Sequence, residues 1–228
     1  MKTDFSQYRK NIIQKKLNNI GIQPLDLLIA GATGAGKSTT LNTILQKEEA
    51  SVGYGAEPET MDTRYYMIND FFRIWDSPGL GDGVEIDKEH KRKISNLLKK
   101  RYQRNYINYG FIDMVLVLLD ASSRDFGAEY ELINNVILKH ISPDRVLIAV
   151  NKADFCMYGR HWDRINNQPD AVLLRTLEEK VISVKKRINL STGLNAPKPI
   201  YYSAEYGYNI TKLLDFIINN MPTTKRML

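Results

Sequence analysis

The sequence predicts a three-layer α/β/α fold on a mostly parallel sheet of six strands with one antiparallel edge strand. Short apolar runs alternate along the chain with longer amphipathic stretches, which is typical of βα crossovers in a parallel sheet. The apolar runs are nearly continuous, as expected for strands that helices cover on both faces. The longest run, Met114–Leu119, has the length of a strand and is far too short to span a membrane.

Length and composition indicate an ordinary globular protein. A chain of 228 residues can bury the core of one large α/β domain without disulfides. Its single cysteine, Cys156, excludes an intramolecular disulfide and a cysteine-rich zinc site. A single cysteine fits a reducing cytoplasm, and the N-terminus lacks the apolar core of a secretory signal, so we expect a cytoplasmic protein. The net charge of +6 permits binding to RNA or to an anionic membrane without establishing either, and membrane association is disfavoured.

Residues 1–23 are predicted to be an N-terminal extension and residues 24–228 a single domain. Within the extension, apolar residues at helical spacing predict an amphipathic helix over Asp4–Ile20, which Gly21 and Pro24 end. This helix either packs on the domain or docks onto a partner or membrane. Its narrow apolar stripe favours packing.

The elements of the domain follow from the same patterns. The first half is predicted to contain strand Leu25–Ala30, helix Lys37–Gln46, strands Arg64–Asn69 and Phe71–Trp75, and a basic helix Lys88–Tyr106. The second half is predicted to contain strand Asp113–Leu119, helix Ala128–Lys139, strand Arg145–Val150, helix Ala171–Ile188, strand Lys198–Tyr202 and helix Asn209–Asn219. Ligands of such sheets bind at the carboxyl ends of the strands.

A glycine-rich turn, Gly31–Ser38, fits the phosphate-binding loop pattern at every fixed position and lies between a strand and a helix. Its glycines let successive N–H groups curl around a β-phosphate, and the helix N-terminus adds a favourable dipole. Lys37 would contact the β- and γ-phosphates and Ser38 would bind Mg²⁺. The predicted nucleotide contacts in this loop are Ala32, Thr33, Gly34, Ala35, Gly36, Lys37, Ser38 and Thr39.

The sequence Asp76-Ser-Pro-Gly79 directly follows a predicted strand. A carboxylate at this strand end can hold Mg²⁺, usually through a water molecule. The N–H of Gly79 can then sense the γ-phosphate.

The sequence Asn151-Lys-Ala-Asp154 follows the strand Arg145–Val150 and predicts the base. The Asp154 carboxylate can accept two hydrogen bonds from guanine, whereas adenine lacks that donor pair. The Lys152 stem can lie against the purine face. In the later loop Ser203-Ala204-Glu205, the Ala204 N–H can donate to guanine O6.

Together these motifs resemble the translation-factor class of P-loop GTPases, in the TrmE-Era-EngA-septin-like branch. The resemblance covers about residues 25–222 and extends to small bacterial ribosome-binding-type GTPases. It implies GTP hydrolysis with Mg²⁺ and a threonine in the loop Ser51–Thr63 that reaches the metal. Thr60 is favoured over Thr63 because it follows Pro58-Glu59. The implied catalytic residues are Lys37, Thr60 and Gly79, and the implied metal ligands are Ser38, Thr60 and Asp76.

Two positions depart from the family pattern. Leu80 stands where Ras-like enzymes carry a glutamine that orients the attacking water. We therefore expect slow hydrolysis without a partner. The alternative is a nucleotide-dependent assembly module with negligible turnover. Gly34 stands where some relatives bind K⁺ through an asparagine, which puts that activation in doubt.

The segment Lys88–Tyr106 combines basic residues with tyrosines, and Tyr109 follows it. Basic residues beside aromatic side chains suit single-stranded RNA. A solvated helix face with Ile94, Leu97 and Leu98 on the core side is the favoured interpretation. Beyond GTP and GDP, the sequence leaves open an RNA or ribosomal partner, a protein effector and a GTP-dependent homodimer.

Overall fold

The computed structural model describes residues 5, 7–21, 24–45, 52–54 and 64–227, with 52–54 as backbone alone. The threonines Thr60 and Thr63 and most of the predicted first switch, Ser51–Thr63, lie outside the described residues. None of the helices in the described part of the chain is long and apolar enough to cross a membrane.

The strands of the described ranges are named in chain order. They are β1 (Leu25–Gly31), β2 (Val52–Tyr54), β3 (Arg64–Asn69), β4 (Phe72–Asp76), β5 (Arg101–Arg104), β6 (Ile107–Gly110), β7 (Met114–Asp120), β8 (Val146–Asn151), β9 (Trp162–Asp163), β10 (Gln168–Pro169) and β11 (Ile200–Tyr201). Strands β5 and β6 form one separate hairpin, and β9 and β10 form another.

The remaining strands form a mostly parallel central sheet, and the predicted fold class is confirmed. Their order across the sheet is β11-β8-β7-β1-β4-β3-β2. The six predicted strands are present, and β3 runs antiparallel to β4. The three-residue β2 pairs with β3 on its outer side, so β3 is second from the edge.

Helices cover both faces of this sheet. They are α1 (Lys10–Ile20), α2 (Lys37–Leu45), α3 (Val84–Lys99), α4 (Gly127–Leu132), α5 (Ala171–Thr192) and α6 (Ile210–Asn219). Helix α4 continues as a π-helical turn, Ile133–Ile137, which accounts for the longer helix predicted there. Helices α3, α4 and α5 pack on one face and α1, α2 and α6 on the other. The strands are therefore buried from both sides, as their continuous apolar sequences require.

Helix α1 begins at Lys10, later than the predicted Asp4. Its side chains Ile13 and Leu17 are buried in the core of the domain. The Lys16 ammonium donates to the Ile218 carbonyl of α6 at 2.7 Å. The helix thus packs along α6, and its narrow apolar stripe is buried against the domain.

The predicted basic helix Lys88–Tyr106 is wrong beyond Lys99. Helix α3 ends there, and the hairpin of β5 and β6 follows. Lys100 is extended at ψ 136°, which stops the helix. The hairpin turns at Asn105 and Tyr106, whose φ angles of 50° and 65° suit a two-residue turn between strands.

Candidate nucleotide-binding site

The four sequence motifs meet at one edge of the sheet. Strand β1 leads into the phosphate loop, β4 ends at Asp76, and β8 ends at Asn151. Strand β11 leads into the loop Ser203–Glu205. These strands are parallel, with β1 between β7 and β4 and β8 between β11 and β7. Their carboxyl ends therefore lie side by side, which is where such folds bind ligands.

The phosphate loop has the backbone that its glycines predict. Gly34 and Gly36 have φ angles of 79° and 87°, in the region that favours glycine. A Cβ atom on Gly36 would come within 2.2 Å of Asn151 Nδ2. Helix α2 begins at Lys37, so its N-terminus lies behind the loop. In the first turn of that helix, Lys37 is buried, whereas Ser38 and Thr39 are exposed.

Asn151 connects the phosphate loop to the loop Ser203–Glu205. Its Nδ2 donates to the Ala35 carbonyl at 3.0 Å, and its Oδ1 accepts from the Ala204 N–H at 3.0 Å. The side chain is buried, so both hydrogen bonds are shielded from water. The Ala204 N–H, which the sequence assigns to guanine O6, thus has Asn151 as its partner. Ser203 Oγ accepts from the Tyr206 N–H, and Glu205 is exposed.

The Lys37 side chain is folded back onto its own loop. Its ammonium donates to the carbonyls of Gly31 and Ala32 at 3.3 and 3.0 Å. Burial lowers the pKa of Lys37, and the nearby carboxylates, Asp76 foremost, oppose that shift. A cation held this way is available to an incoming phosphate, which would add the negative charge that offsets burial.

Asp76 fits the predicted role in holding Mg²⁺. Its Oδ1 is buried and has no hydrogen-bond partner. Burial raises the pKa of Asp76, and the Lys37 charge opposes the rise. An orphaned carboxylate oxygen at this depth suits a cation, directly or through a water molecule. Among the described residues no group of three or more His, Cys, Asp or Glu could hold a metal.

The base-reading residues show a second orphaned oxygen. Asp154 lies in the 3₁₀ turn Ala153–Phe155, and its Oδ1 is buried without a hydrogen-bond partner. The preceding Lys152 adopts a left-handed φ of 60°, and its ammonium donates to Asp120 Oδ2 at 2.6 Å. Burial raises the pKa of Asp120, but hydrogen bonds from Lys152 and Ser122 outweigh it and hold the pKa below its usual value. The Lys152 side chain is thereby fixed, two residues before Asp154, the carboxylate predicted to read the base.

The phosphate loop also contacts Leu80–Asp87, the segment that bound GTP is predicted to order and that we call the second switch. The Thr33 N–H donates to the Leu80 carbonyl at 2.6 Å, and the Thr33 hydroxyl donates to Asp82 Oδ2 at 2.7 Å. Gly79 lies so close that a Cβ atom there would approach the Thr33 Cα to 2.7 Å. We call these two hydrogen bonds the Thr33 clasp. They join the loop that would hold the phosphates to the segment that would sense them.

The Leu80 side chain points away from this contact. It is only 1% exposed and packs in the core cluster that includes Leu28, Trp75 and Ile94. It cannot orient a water molecule, because a hydrocarbon neither donates nor accepts hydrogen bonds.

Sequence reasoning missed three side chains that support the site, Asp82, Glu129 and His90. Glu129 is buried beside the phosphate loop. Burial raises its pKa, and a hydrogen bond from the Ala32 N–H opposes that shift. His90 Nδ1 lies 2.5 Å from the Gly79 carbonyl, which can only accept, so this nitrogen carries the proton. These three residues belong to no sequence motif, and only the fold shows that they lie close to the site.

Comparison with known proteins agrees with this geometry. The tRNA modification GTPase MnmE of Chlorobium chlorochromatii is 31% identical over 130 residues, which is 56% of this chain and 25% of that protein. The chain thus spans about a quarter of the length of that relative. The probable GTP-binding protein EngB of Clostridioides difficile is 25% identical over 186 residues, 82% of this chain and 87% of that protein.

Solved structures share the fold. The GDP and Mg²⁺ complex of Toc33 from Arabidopsis thaliana matches with a TM-score of 0.59 and 14% identity, over 98% of this chain and 97% of that one. A dimerization-deficient mutant of Toc33 matches with a TM-score of 0.60 and 14% identity, over 99% and 98%. At this identity the likeness shows the fold alone.

A family model described as 50S ribosome-binding GTPase matches residues 26–152. This range contains the phosphate loop, Asp76–Gly79 and the first two residues of the base-reading motif. Because the match covers more than half of the chain, the protein belongs to the family of 50S ribosome-binding GTPases and is a P-loop GTPase.

Proposed function

We propose that the protein is a guanine-nucleotide switch that hydrolyses GTP with Mg²⁺, slowly in the absence of a partner. The observation that carries the base assignment is the buried, unpartnered Oδ1 of Asp154 at the sheet edge that bears the phosphate loop. A carboxylate oxygen without a hydrogen-bond partner beside a phosphate loop is explained if the N–H groups of guanine donate to it. Residues 24–228 would form the nucleotide-binding domain and 1–23 its extension.

The phosphate end of the nucleotide would lie on the loop Ala32–Thr39. Lys37 would exchange its carbonyl partners for the β- and γ-phosphate oxygens, which match its charge better. Ser38, Asp76 and Thr60 would hold Mg²⁺, which when bound neutralises charge on the transferred phosphoryl group. Gly79 would offer its N–H to the γ-phosphate.

Slow turnover follows from what these residues lack. Leu80 is buried in the core, and the Thr33 clasp holds the second switch against the phosphate loop. Catalysis would then depend on Lys37 and the loop amides, which stabilise charge but do not position water. A partner that supplies a polar group would raise the rate, as positioning groups do in related chemistry.

Displacement of a fluorescent GDP analogue tests the base assignment. We expect unlabelled GDP to displace it and ADP to fail at a roughly 100-fold higher concentration, because ADP lacks the N1–H and N2–H donors. Equal displacement by ADP would overturn the proposal. Omitting Mg²⁺ should weaken the binding of GTP more than the binding of GDP, since the γ-phosphate adds negative charge that the metal offsets.

The second candidate is a nucleotide-dependent assembly module. The buried Leu80 favours it, and the Toc33 mutant that matches in fold is named as dimerization-deficient. In that case turnover per chain would rise with protein concentration. A flat rate as the protein is diluted, together with a monomer in the presence of a GTP analogue, would exclude it.

A further inference from the structure

The hairpin that replaces the end of the predicted basic helix is unexplained by the nucleotide site. We call it the basic ribbon: β5, the turn Asn105–Tyr106 and β6. It lies between α3 and β7 and is joined at its base, because the Phe111 N–H donates to the Lys100 carbonyl at 2.8 Å. The Asp113 N–H donates to the Asp26 carbonyl near the start of β1 at 2.9 Å. The ribbon therefore extends from the amino-terminal ends of the strands, opposite the phosphate loop.

The charge of the ribbon has one sign. Residues 100–110 include three cations, Lys100, Arg101 and Arg104, and no acidic residue. Both arginines are exposed. Lys225 of the C-terminal segment adds a fourth cation, with its ammonium 4.8 Å from the centre of the Tyr109 ring. The nearby carboxylates Asp26 and Asp113 are buried.

The ribbon also exposes aromatic surface to solvent. Tyr106 at the turn is 97% exposed and Tyr102 is 41% exposed. Tyr102 stacks on its cross-strand partner Tyr109, with ring centres 5.6 Å apart and planes 29° from parallel. Because alternate residues of a strand share a face, Arg104 lies on the same face as Tyr102. That face therefore offers flat rings and a guanidinium together.

The C-terminal segment holds the base of the ribbon. The Gly110 N–H donates to the Arg226 carbonyl at 2.8 Å, and Tyr109 pairs with Met227 in a further antiparallel bridge. The Arg226 guanidinium is buried and donates to the Leu98 carbonyl of α3 at 2.7 Å. A backbone held in this way has less conformational entropy to lose when a ligand binds.

We propose that the basic ribbon binds single-stranded nucleic acid. Bases would stack on Tyr102 and Tyr106. Arg104, on the face of Tyr102, and Arg101, on the opposite face of this two-stranded ribbon, would contact the phosphates. Positive charge interleaved with exposed rings is the recognition chemistry of single strands, whereas a lipid surface would require a broader apolar face. Single-stranded nucleic acid would be the partner class of the proposed switch. Control of this binding by nucleotide rests on the proposed function, since α3 runs from the second switch to the ribbon.

Fluorescence anisotropy with labelled oligouridylate and oligothymidylate of about 12 nucleotides, at low salt, tests the proposal. We expect Tyr106→Ala to weaken binding about 5-fold or more, because one stacked base is lost, and Tyr106→Phe to keep the affinity. Tyr106 is nearly fully exposed, so neither change should alter folding. Arg101→Gln with Arg104→Gln should lower the slope of log affinity against log salt by about 1.4. Removing two exposed cations of α5, Arg175→Gln with Lys186→Gln, is the matched control and should leave affinity nearly unchanged.

Affinity for both oligonucleotides that is unchanged in the ribbon variants would overturn the proposal, as would absence of binding by the wild type. If the ribbon variants lose only their sedimentation with phosphatidylserine vesicles, that result would also overturn the proposal and assign the ribbon to an anionic membrane. Binding of a fluorescent GDP analogue is measured on the same samples. Normal nucleic-acid binding without GDP binding would refute the proposed switch and leave the ribbon standing.

Discussion

The backbone N–H of Thr33 donates to the carbonyl of Leu80 at 2.6 Å, which ties the phosphate loop directly to the second switch. The Thr33 hydroxyl adds a hydrogen bond to Asp82 at 2.7 Å. A γ-phosphate bound to this loop would therefore act on the second switch through one residue. Movement of that segment requires these hydrogen bonds to break, so the clasp sets part of the free-energy difference between the two switch states.

Thr33→Val removes the hydroxyl with little change of shape. We expect the Asp82 contact to be lost and hydrogen exchange in residues 79–90 to become about 2- to 10-fold faster, because one hydrogen bond is worth about 0.5–1.5 kcal/mol. Exchange measured by mass spectrometry checks this. Thr176→Val, on α5, is the control and should leave the segment unchanged. Equal protection in Thr33→Val and wild type would show that the Thr33 hydroxyl does not hold the switch.

Asp154→Asn should change the base preference. An asparagine amide cannot accept from both guanine donors, so we expect GTP affinity to fall about 100-fold or more. Xanthosine triphosphate carries an oxygen where guanine carries the amine, and the new amide can donate to it. Calorimetric titration with both nucleotides should show this reversal. Asp144→Asn removes an exposed carboxylate and should change neither affinity. If Asp154→Asn binds neither nucleotide, that result would contradict the assigned contact.

Asn151→Ala should destabilise the fold. It leaves the buried Ala35 carbonyl and Ala204 N–H without partners, at a cost of about 2–4 kcal/mol. For a domain of this size that corresponds to a Tm lower by roughly 4–16 °C. Differential scanning calorimetry measures the change, with the exposed Asn219→Ala as control. A shift under about 2 °C would mean that the bridge contributes little.

Asp113 makes stability depend on pH. Burial raises the pKa of this carboxyl to about 7, and its Oδ2 accepts from the Asp26 N–H at 3.0 Å. Between about pH 4 and pH 7 the folded state keeps a proton that the unfolded state has released, so stability falls as pH rises through this window. Below this window Asp113 does not affect the slope of stability against pH. Above it, the stability that the protonated carboxyl contributes is completely lost.

Asp113→Asn removes this titration. We therefore expect a flatter dependence of the unfolding free energy between about pH 4 and 7, and a variant more stable than wild type at about pH 8. Urea denaturation at several pH values measures both effects. Asp144→Asn serves as the control with the same change of charge. A variant whose pH profile runs parallel to that of wild type would refute the ionisation behaviour assigned to Asp113.

The sheet and the phosphate loop were predictable because they depend on local patterns. Continuous apolar runs define the strands, and the glycines of Gly31–Ser38 require a loop that lies before a helix. The basic ribbon was not predictable from the same rules. Its cations and tyrosines fit the period of a helix as well as that of a strand, and its turn at Asn105–Tyr106 contains no glycine.

The supporting contacts of the site were also beyond sequence reasoning. Thr33 and Asp82, or Ala32 and Glu129, come together only because the chain returns to the same edge of the sheet. The role of Leu80 shows the complementary case. Its chemistry excluded a water-positioning role from the sequence, whereas its burial beside Trp75 became visible only in the fold.

Single-turnover hydrolysis of GTP labelled at the γ-phosphate, with Mg²⁺ and enzyme in excess, tests the central claim most directly. The account predicts hydrolysis of GTP and not of ATP, at a rate on the order of 10⁻³ per second or slower, and none in Lys37→Ala. Hydrolysis of GTP on the order of 1 per second without a partner, or equal hydrolysis of ATP, would contradict it.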